Sequence, residues 1–384
     1  MNIRFHTKIN LYKKYRYFIV PYDFCTNNNI GVHDNLLIKI DDIIFHTYIS
    51  GTNSSKRINL PTNLLCELKR GDSICVEVVD KYQQRNHKIK IIKNNNECFL
   101  DLYHSLPKYQ DHVKSEIIVF KLNDRLLVSS KNVSKQIIIN RYLPLNEKTF
   151  EIFGLYQGEG TKKHKRDCAQ IKFVNSNIKL INLLIEYFKD TFNIPFDKWS
   201  GRIFYVGSEK SDKELKNYWL KHTKILQKNL KKTIFIDRRG NKSSRHGVLH
   251  ILLISSIFTE VIMGILNLLK RECLKSKVWT AAFLRGLMAA DAHVKLTKWP
   301  NKTTLTMVEL AIENEEESIL YNQMFNRLGI TTRTYLKSGK IDIMHWNNLK
   351  KLAEFKLLKL HPEKYEQFIS GFNNHKKTII VLSP

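Results

Sequence analysis

Acidic residues are scarce in this chain. Only 36 Asp and Glu stand against 63 Lys and Arg, giving 384 residues a formal charge of +27 and a pI near 9.7. That balance marks a binder of polyanions. Long apolar runs are also missing: no segment approaches the roughly 18 residues needed to span a bilayer, and basic residues alternate with aromatics in strand-like segments instead of lining one helix. Nucleic acid therefore fits better than a membrane surface. The six cysteines, Cys25, Cys66, Cys75, Cys98, Cys168 and Cys273, show neither CxxC pairing nor the density of a secreted disulfide scaffold, so reduced, mostly buried thiols are expected. Histidine supplies no HxxxH pair and no His/Cys cluster, and His293 reads as a strand residue rather than a ligand. The N-terminus has no compact apolar region with a small-residue cleavage site. An intracellular protein, in the cytoplasm or in the organelle or nucleoid that holds its target, is expected.

What is present begins with 43% hydrophobic residues, which argues against general disorder, over a length that suits two or three domains with their own cores. Two stretches, FEIFGLYQGEGTKK at 150–163 and AAFLRGLMAADAHVKL at 281–296, share one arrangement. In the first, Gly154 and Gly158 lie four apart and Glu159 follows. In the second, Gly286 and Ala290 lie four apart and Asp291 follows. Small residues at this spacing occupy one face of a helix and let a second helix approach closely. Two such helices packed on each other deliver Glu159 and Asp291 side by side, and adjacent carboxylates repel unless a cation lies between them.

These residues resemble the LAGLIDADG homing endonucleases. Ile152 to Gly160 (IFGLYQGEG) and Leu284 to Ala292 (LRGLMAADA) each match the nine-residue motif, with Gln157 and Ala289 in place of its earlier acid and Ala292 in place of its final glycine. That last exchange tells against a left-handed turn after the second helix, because alanine tolerates positive φ poorly. The resemblance implies that Glu159 and Asp291 bind metal, Mg2+ or Mn2+, and that two fused half-domains form a monomer acting as a pseudo-dimer. It implies metal-dependent hydrolysis of double-stranded DNA, with one near-equivalent site per strand and a double-strand break in a long recognition site as product.

The flanking sequence repeats in the same order. After Glu159 come a basic loop, a strand at Ala169 to Val174 and a helix at Asn177 to Phe192. After Asp291 come HVKLTKW, a turn at PNKT, the strand TLTMVELAI and a helix through Leu328. Further strand-like segments follow in each half, GRIFYVG and HGVLHILLIS in the first, TRTYLKS and KIDIMHW in the second. Helices around Phe258 to Leu269 and Asn348 to Leu358 close the halves. The expected architecture is α+β: two pseudo-symmetric αββαββα half-domains, 146–277 and 278–384, forming a β-saddle behind a β-rich N-terminal domain at 1–145. In that domain VPYDFCTNNNIGVHDNLLIKID at 20–41 parallels LPTNLLCELKRGDSICVEVVD at 60–80, an approximate repeat weakly similar to AbrB-type swapped-hairpin DNA-binding modules. An ordinary meander using Pro and Asp in its turns accounts for it equally well.

Candidate DNA contacts follow from the strands and loops. Gln170 and Lys172 share one strand face; Arg202 and Tyr205 follow in the first half, and Lys295, Lys298, Arg333, Tyr335 and Lys337 in the second. Lys162, Lys163, Lys165 and Arg166 in one loop, and Arg238, Arg239, Lys242 and Arg245 in another, suit sequence-independent phosphate binding. By the same resemblance a basic residue assists near the metals, and Lys270 and Lys359, near the ends of the closing helices, are the candidates. Two other functions share this basic framework: an RNA maturase that assists splicing of an intron RNA, and a regulator that binds DNA without cutting. An intein is disfavoured, since the chain opens with Met1 and Asn2 and ends in VLSP.

Overall fold

A computed structural model of the chain describes residues 3–12, 15–61, 68–95, 97–109, 116–131, 136–161, 170–207, 209–236, 245–299 and 302–382, with backbone alone over 298–299, 302–306 and 375–382. It divides into two units, one of Met1–Ile92, Phe99–Leu143 and Ser255–Val261, the other of Lys93–Cys98, Pro144–Ile254 and Ile262–Pro384.

The first unit is built on a seven-stranded sheet in the order Ile3–Lys8, Ser73–Lys81, Asn35–Ile40, Ile43–Thr52, Ser55–Asn59, Tyr15–Ile19, Asn10–Tyr12. The repeated sequence segments become neighbours here. Asp34 accepts a hydrogen bond from the Gly31 N–H and Asp72 accepts one from the Lys69 N–H, both at 2.6 Å. Each acid thus closes a four-residue turn with the same hydrogen-bond pattern, and the strands that follow, Asn35–Ile40 and Ser73–Lys81, pair antiparallel. Alternation sends Phe18, Ile38, Phe45, Ile58 and Val76 into a fully buried core. A second sheet, Ile117–Leu122, Arg125–Ser130 and Gln136–Asn140, contributes Ile118, Phe120 and Leu127 to a smaller cluster with Leu37.

The second unit holds the two motif helices, Glu147–Glu159 and Lys277–Asp291. Asn146 caps the first, accepting from the Thr149 N–H at 3.0 Å. Both helices are buried over most of their length, and Phe150, Ile152, Phe153, Leu155, Phe283, Leu284, Leu287 and Met288 are fully buried. Their seam runs at backbone distance. A Cβ added to Gly154 would lie 2.0 Å from the Phe283 carbonyl oxygen, and one added to Gly286 would lie 1.9 Å from that of Glu151. Phe283 and Gly286 each follow their counterparts Glu151 and Gly154 by 132 positions, so the two contacts are one contact made twice about a local twofold. Farther along, a Cβ on Gly158 would meet the Ala290 Cβ at 2.3 Å. Phe150 stacks on Trp279 with centroids 5.0 Å apart, and Arg285 forms ion pairs across the seam with Glu147, at 2.7 Å, and with Glu151.

Each motif helix leads into a four-stranded sheet. The first is ordered Gln170–Asn175, Val248–Ile254, Ser200–Val206, Ile234–Ile236; the second Ala292–Trp299, Lys302–Ala311, Lys340–Ile343, Arg333–Tyr335. The antiparallel order of the first three strands in one sheet recurs in the last three of the other. The helices Ile178–Phe192 and Glu315–Arg327 occupy matching places in the chain. The halves also differ. Between its third and fourth segments the first half carries a helix, Asp212–His222, and an edge strand, Ile234–Ile236, parallel to Ser200–Val206. Neither follows from apolar periodicity, but the Ser211/Glu214 capping box that starts the helix is written in the sequence. The second half ends on two helices, Trp346–Glu354 and Pro362–Leu382.

The seam makes a direct prediction. Gly286→Ala should lower the unfolding free energy by about 1–3 kcal/mol through overpacking, whereas Gly31→Ala, whose Cβ meets nothing nearer than 3.7 Å, should change it by less than about 1 kcal/mol. Urea denaturation followed by circular dichroism compares the two; equal effects would show that the close approach is not what holds the helices.

Candidate active site

The two motif helices end alike. Glu159 is the last residue of the first and Asp291 of the second, and the residues that follow are both extended, Gly160 with φ −77° and ψ 155° and Ala292 with φ −81° and ψ 145°. No positive φ is required at either place, so alanine serves at position 292. At Gly160 the absence of a side chain matters for space instead: a Cβ there would lie 2.3 Å from the Tyr156 carbonyl oxygen.

The seam carries the two acids to one spot. A Cβ on Gly158 would lie 2.9 Å from Asp291 Oδ2, so the Asp291 carboxylate rests against the residue that precedes Glu159. Burial, and after it the repulsion of Asp291, pushes the Glu159 carboxyl up to about 7, with Lys364 pulling the other way. Asn175, on the strand Gln170–Asn175, donates to Glu159 Oε1 at 3.3 Å. Lys364 stands in the first turn of the helix Pro362–Leu382 and donates to the carbonyls of Ala289 and Ala290 at 2.8 and 2.7 Å. These belong to the last turn of the second motif helix, whose carbonyls have no partner within the helix. Burial draws the Lys364 ammonium down to about 8 against the attraction of Glu159 and Asp291.

The electrostatic logic is consistent throughout. Two helix C-termini, each bearing partial negative charge, converge with two carboxylates, and every feature of the place favours a cation. The Lys364 ammonium offsets part of that charge. Oxygen donors of this kind suit a hard divalent ion such as Mg2+ or Mn2+. Among the described residues no three or more His, Cys, Asp or Glu are grouped so as to hold a metal ion; an ion here would be held by Glu159 and Asp291 together with non-carboxylate oxygens.

Gln157, at the motif's earlier acidic position, serves packing. Its amide donates to Glu317 at 2.9 Å and to the Tyr321 hydroxyl at 3.0 Å, joining the first motif helix to the helix Glu315–Arg327, with all three side chains buried.

Of the basic candidates, Lys359 is exposed and acts electrostatically on Glu151, which stands more than two helical turns before Glu159. Lys270 lies in the last turn of the helix Ser256–Glu272. Lys364, which periodicity did not single out, is a cation that acts on both acids. Its signal was Pro362, a residue favoured at the first position of a helix, followed two places later by a cation where the helix dipole favours acids.

The candidate DNA contacts fall out by strand parity. Gln170 and Lys172 share the partly exposed face of their strand, while Ile171 and Phe173 are buried. Arg202 is exposed, but Tyr205 is on the opposite face, buried, with its hydroxyl donating to Glu209 at 2.9 Å. In the second sheet Lys295, Arg333 and Tyr335 share the outward face with an ion-pair chain from Lys295 through Glu309 and Lys340 to Asp342. Lys337 is exposed in the turn Leu336–Ser338, and Arg245 is exposed. Lys162, Lys163, Lys165, Arg166, Arg238, Arg239, Lys242 and the side chain of Lys298 lie outside the described residues. Among the described residues no helix is long and apolar enough to cross a membrane.

Fold and site together define a mixed α and β protein with a carboxylate pair where two helix ends meet. No family model matches the chain, and no curated protein matches it. Among solved structures it is similar to I-DmoI in complex with DNA and Mn, at 14% identity and a TM-score of 0.33 over 56% of this chain and 98% of that one. It is similar also to the N-terminal LAGLIDADG domain of DUF199/WhiA, at 16% identity and a TM-score of 0.31 over 57% of this chain and 83% of that one. Full-length DUF199/WhiA from Thermatoga maritima gives 15% identity and a TM-score of 0.33 over 62% and 66%.

The acid pair has a pH signature. Glu159 holds its proton up to about pH 7 in the folded chain and to about 4.3 unfolded, so this group's stabilising contribution is full below pH 4 and is lost as pH rises to 7. Lys364, neutral above about 8 when folded and above about 10.4 unfolded, adds stability from pH 8 upward. In metal-free buffer, thermal melting of the wild type should therefore fall between pH 5 and 7 more than that of Glu159→Gln; identical slopes would show that Glu159 keeps an ordinary pKa.

Proposed function

We propose that this chain is a DNA endonuclease of the LAGLIDADG type, a monomer whose two half-domains place one acid each at a shared metal centre. The observation that carries the reading is the convergence of Glu159 and Asp291 at the ends of two helices joined by the Gly154 and Gly286 contacts. Glu159 and Asp291 would hold Mg2+ or Mn2+, which when bound supplies Lewis acidity toward the scissile phosphate and lowers the pKa of water. Asn175 keeps the Glu159 carboxylate oriented, and Lys364 holds positive charge where the phosphate's negative charge builds up. Partly exposed Gln170 and Lys172 with exposed Arg202, Arg333 and Tyr335 are the proposed groove contacts, and the basic sequences at 162–166 and 238–245 the proposed phosphate contacts, on a saddle formed by the two four-stranded sheets.

One observation favours a second reading. The Lys364 ammonium already serves both acids, which suits a protein that binds DNA without cutting. Incubation of the protein with a randomised DNA library and Mg2+ or Mn2+ separates the two. Discrete double-strand cuts that vanish in Glu159→Gln and Asp291→Asn, with DNA binding retained, are expected; cutting unaltered in both variants would sink the metal role. If Lys364 instead replaces the metal, the wild type binds without cutting and Mn2+ does not raise its melting temperature. Stimulated splicing of an intron RNA that persists in both acid variants would mark a maturase.

A further inference from the structure

The outer face of the seven-stranded sheet in the N-terminal unit carries a concentration of aromatic side chains that the core does not use. Antiparallel partners share a face, so the pairs Tyr12–Tyr15, Tyr17–Asn59, Ile19–Arg57 and Ser50–Arg57 put Tyr12, Tyr15, Tyr17, Arg57 and Asn59 on one side. Tyr48 joins them, two residues from Ser50. The other side holds Phe18, Ile49 and Ile58, each fully buried. Tyr12 and Tyr15 are 64% and 53% exposed, and the six outward residues line a concave site of about 410 Å³. The Arg57 guanidinium lies 6.0 Å from the Tyr17 ring centroid, and the sequence joining the two tyrosine-bearing strands is Lys13-Lys14.

Aromatic rings spaced along a sheet, interleaved with cationic groups and open to solvent, are what unpaired bases need, because every base has a π-face and every nucleotide a phosphate. A duplex would present only its backbone to such a concavity, its bases being already stacked. We propose that this face binds single-stranded DNA, with successive bases stacked on Tyr12, Tyr15, Tyr17 and Tyr48 and the phosphates met by Arg57. The choice of DNA over RNA rests on the endonuclease reading; the stacking site itself does not.

The test uses the full chain and fluorescence anisotropy at fixed salt, with a labelled oligothymidine of about ten nucleotides, a duplex of equal length and an oligouridine RNA. Tyr15→Ala and Tyr48→Ala should each lower the ratio of single-strand to duplex affinity about tenfold, while Tyr15→Phe and Tyr48→Phe, which keep the ring, should stay within about threefold. Arg57→Gln, an exposed change, should weaken single-strand binding with a shallower salt dependence. Equal losses on both DNA forms, no loss in the alanine variants, or capture of an acidic protein with no oligonucleotide binding would overturn the proposal, and RNA bound more than tenfold tighter would overturn its assignment to DNA. Because Glu159→Gln should leave single-strand affinity intact, failure of the cutting assay and failure of this one are distinguishable.

Discussion

Backbone contact between the motif helices sets the geometry on which the second unit depends. Glycine in a helix interior costs about 0.5–1 kcal/mol relative to alanine, and the chain accepts this at Gly154, Gly158 and Gly286 because any Cβ there would lie within 2.3 Å of the opposite helix. What it gains is a seam narrow enough that carbonyls of one helix touch Cα atoms of the other, with Phe150 on Trp279 and Arg285 on Glu147 and Glu151 fixing its rotation. A wider seam would separate Glu159 from Asp291, and the electrostatics of the site would vanish with their proximity.

Those electrostatics are an energetic liability that a proton on Glu159 or a neighbouring cation relieves. Carboxylates at helix C-termini oppose the dipole, and burial of Glu159, with the charge of Asp291 beside it, pushes its carboxyl up to about 7. Lys364 gives partial relief, itself drawn down to about 8 by its own burial. A site that is strained without a cation and incompletely neutralised by a lysine has the character of a place built for function and not for stability. The same balance explains why the endonuclease and the non-cutting reading turn on one side chain.

The motif helices, their small-residue faces and the strand and helix order after each acid were legible because spacing alone encodes them. Residues one face apart must meet whatever approaches that face. Tyr205 shows where local sequence stops being enough: it lies three positions from Arg202, and odd separation on a strand sends it to the buried face. The helix Asp212–His222 was missed because its apolar stripe is weak, although its capping box was there. Gln157 is comparable, its polar side chain spent on Glu317 and Tyr321, some 160 residues distant in the chain.

By itself the sequence determined the charge, the two helices and the two acids, since each follows from composition or from local periodicity. Only the tertiary structure decided which cation stands beside them, because Lys364 reaches Ala289 and Ala290 from a helix more than 70 positions later, and no local pattern carries that distance. Likewise the tyrosines of the first unit become one surface only through strand register, which hydrogen bonds between segments fix and no single segment contains.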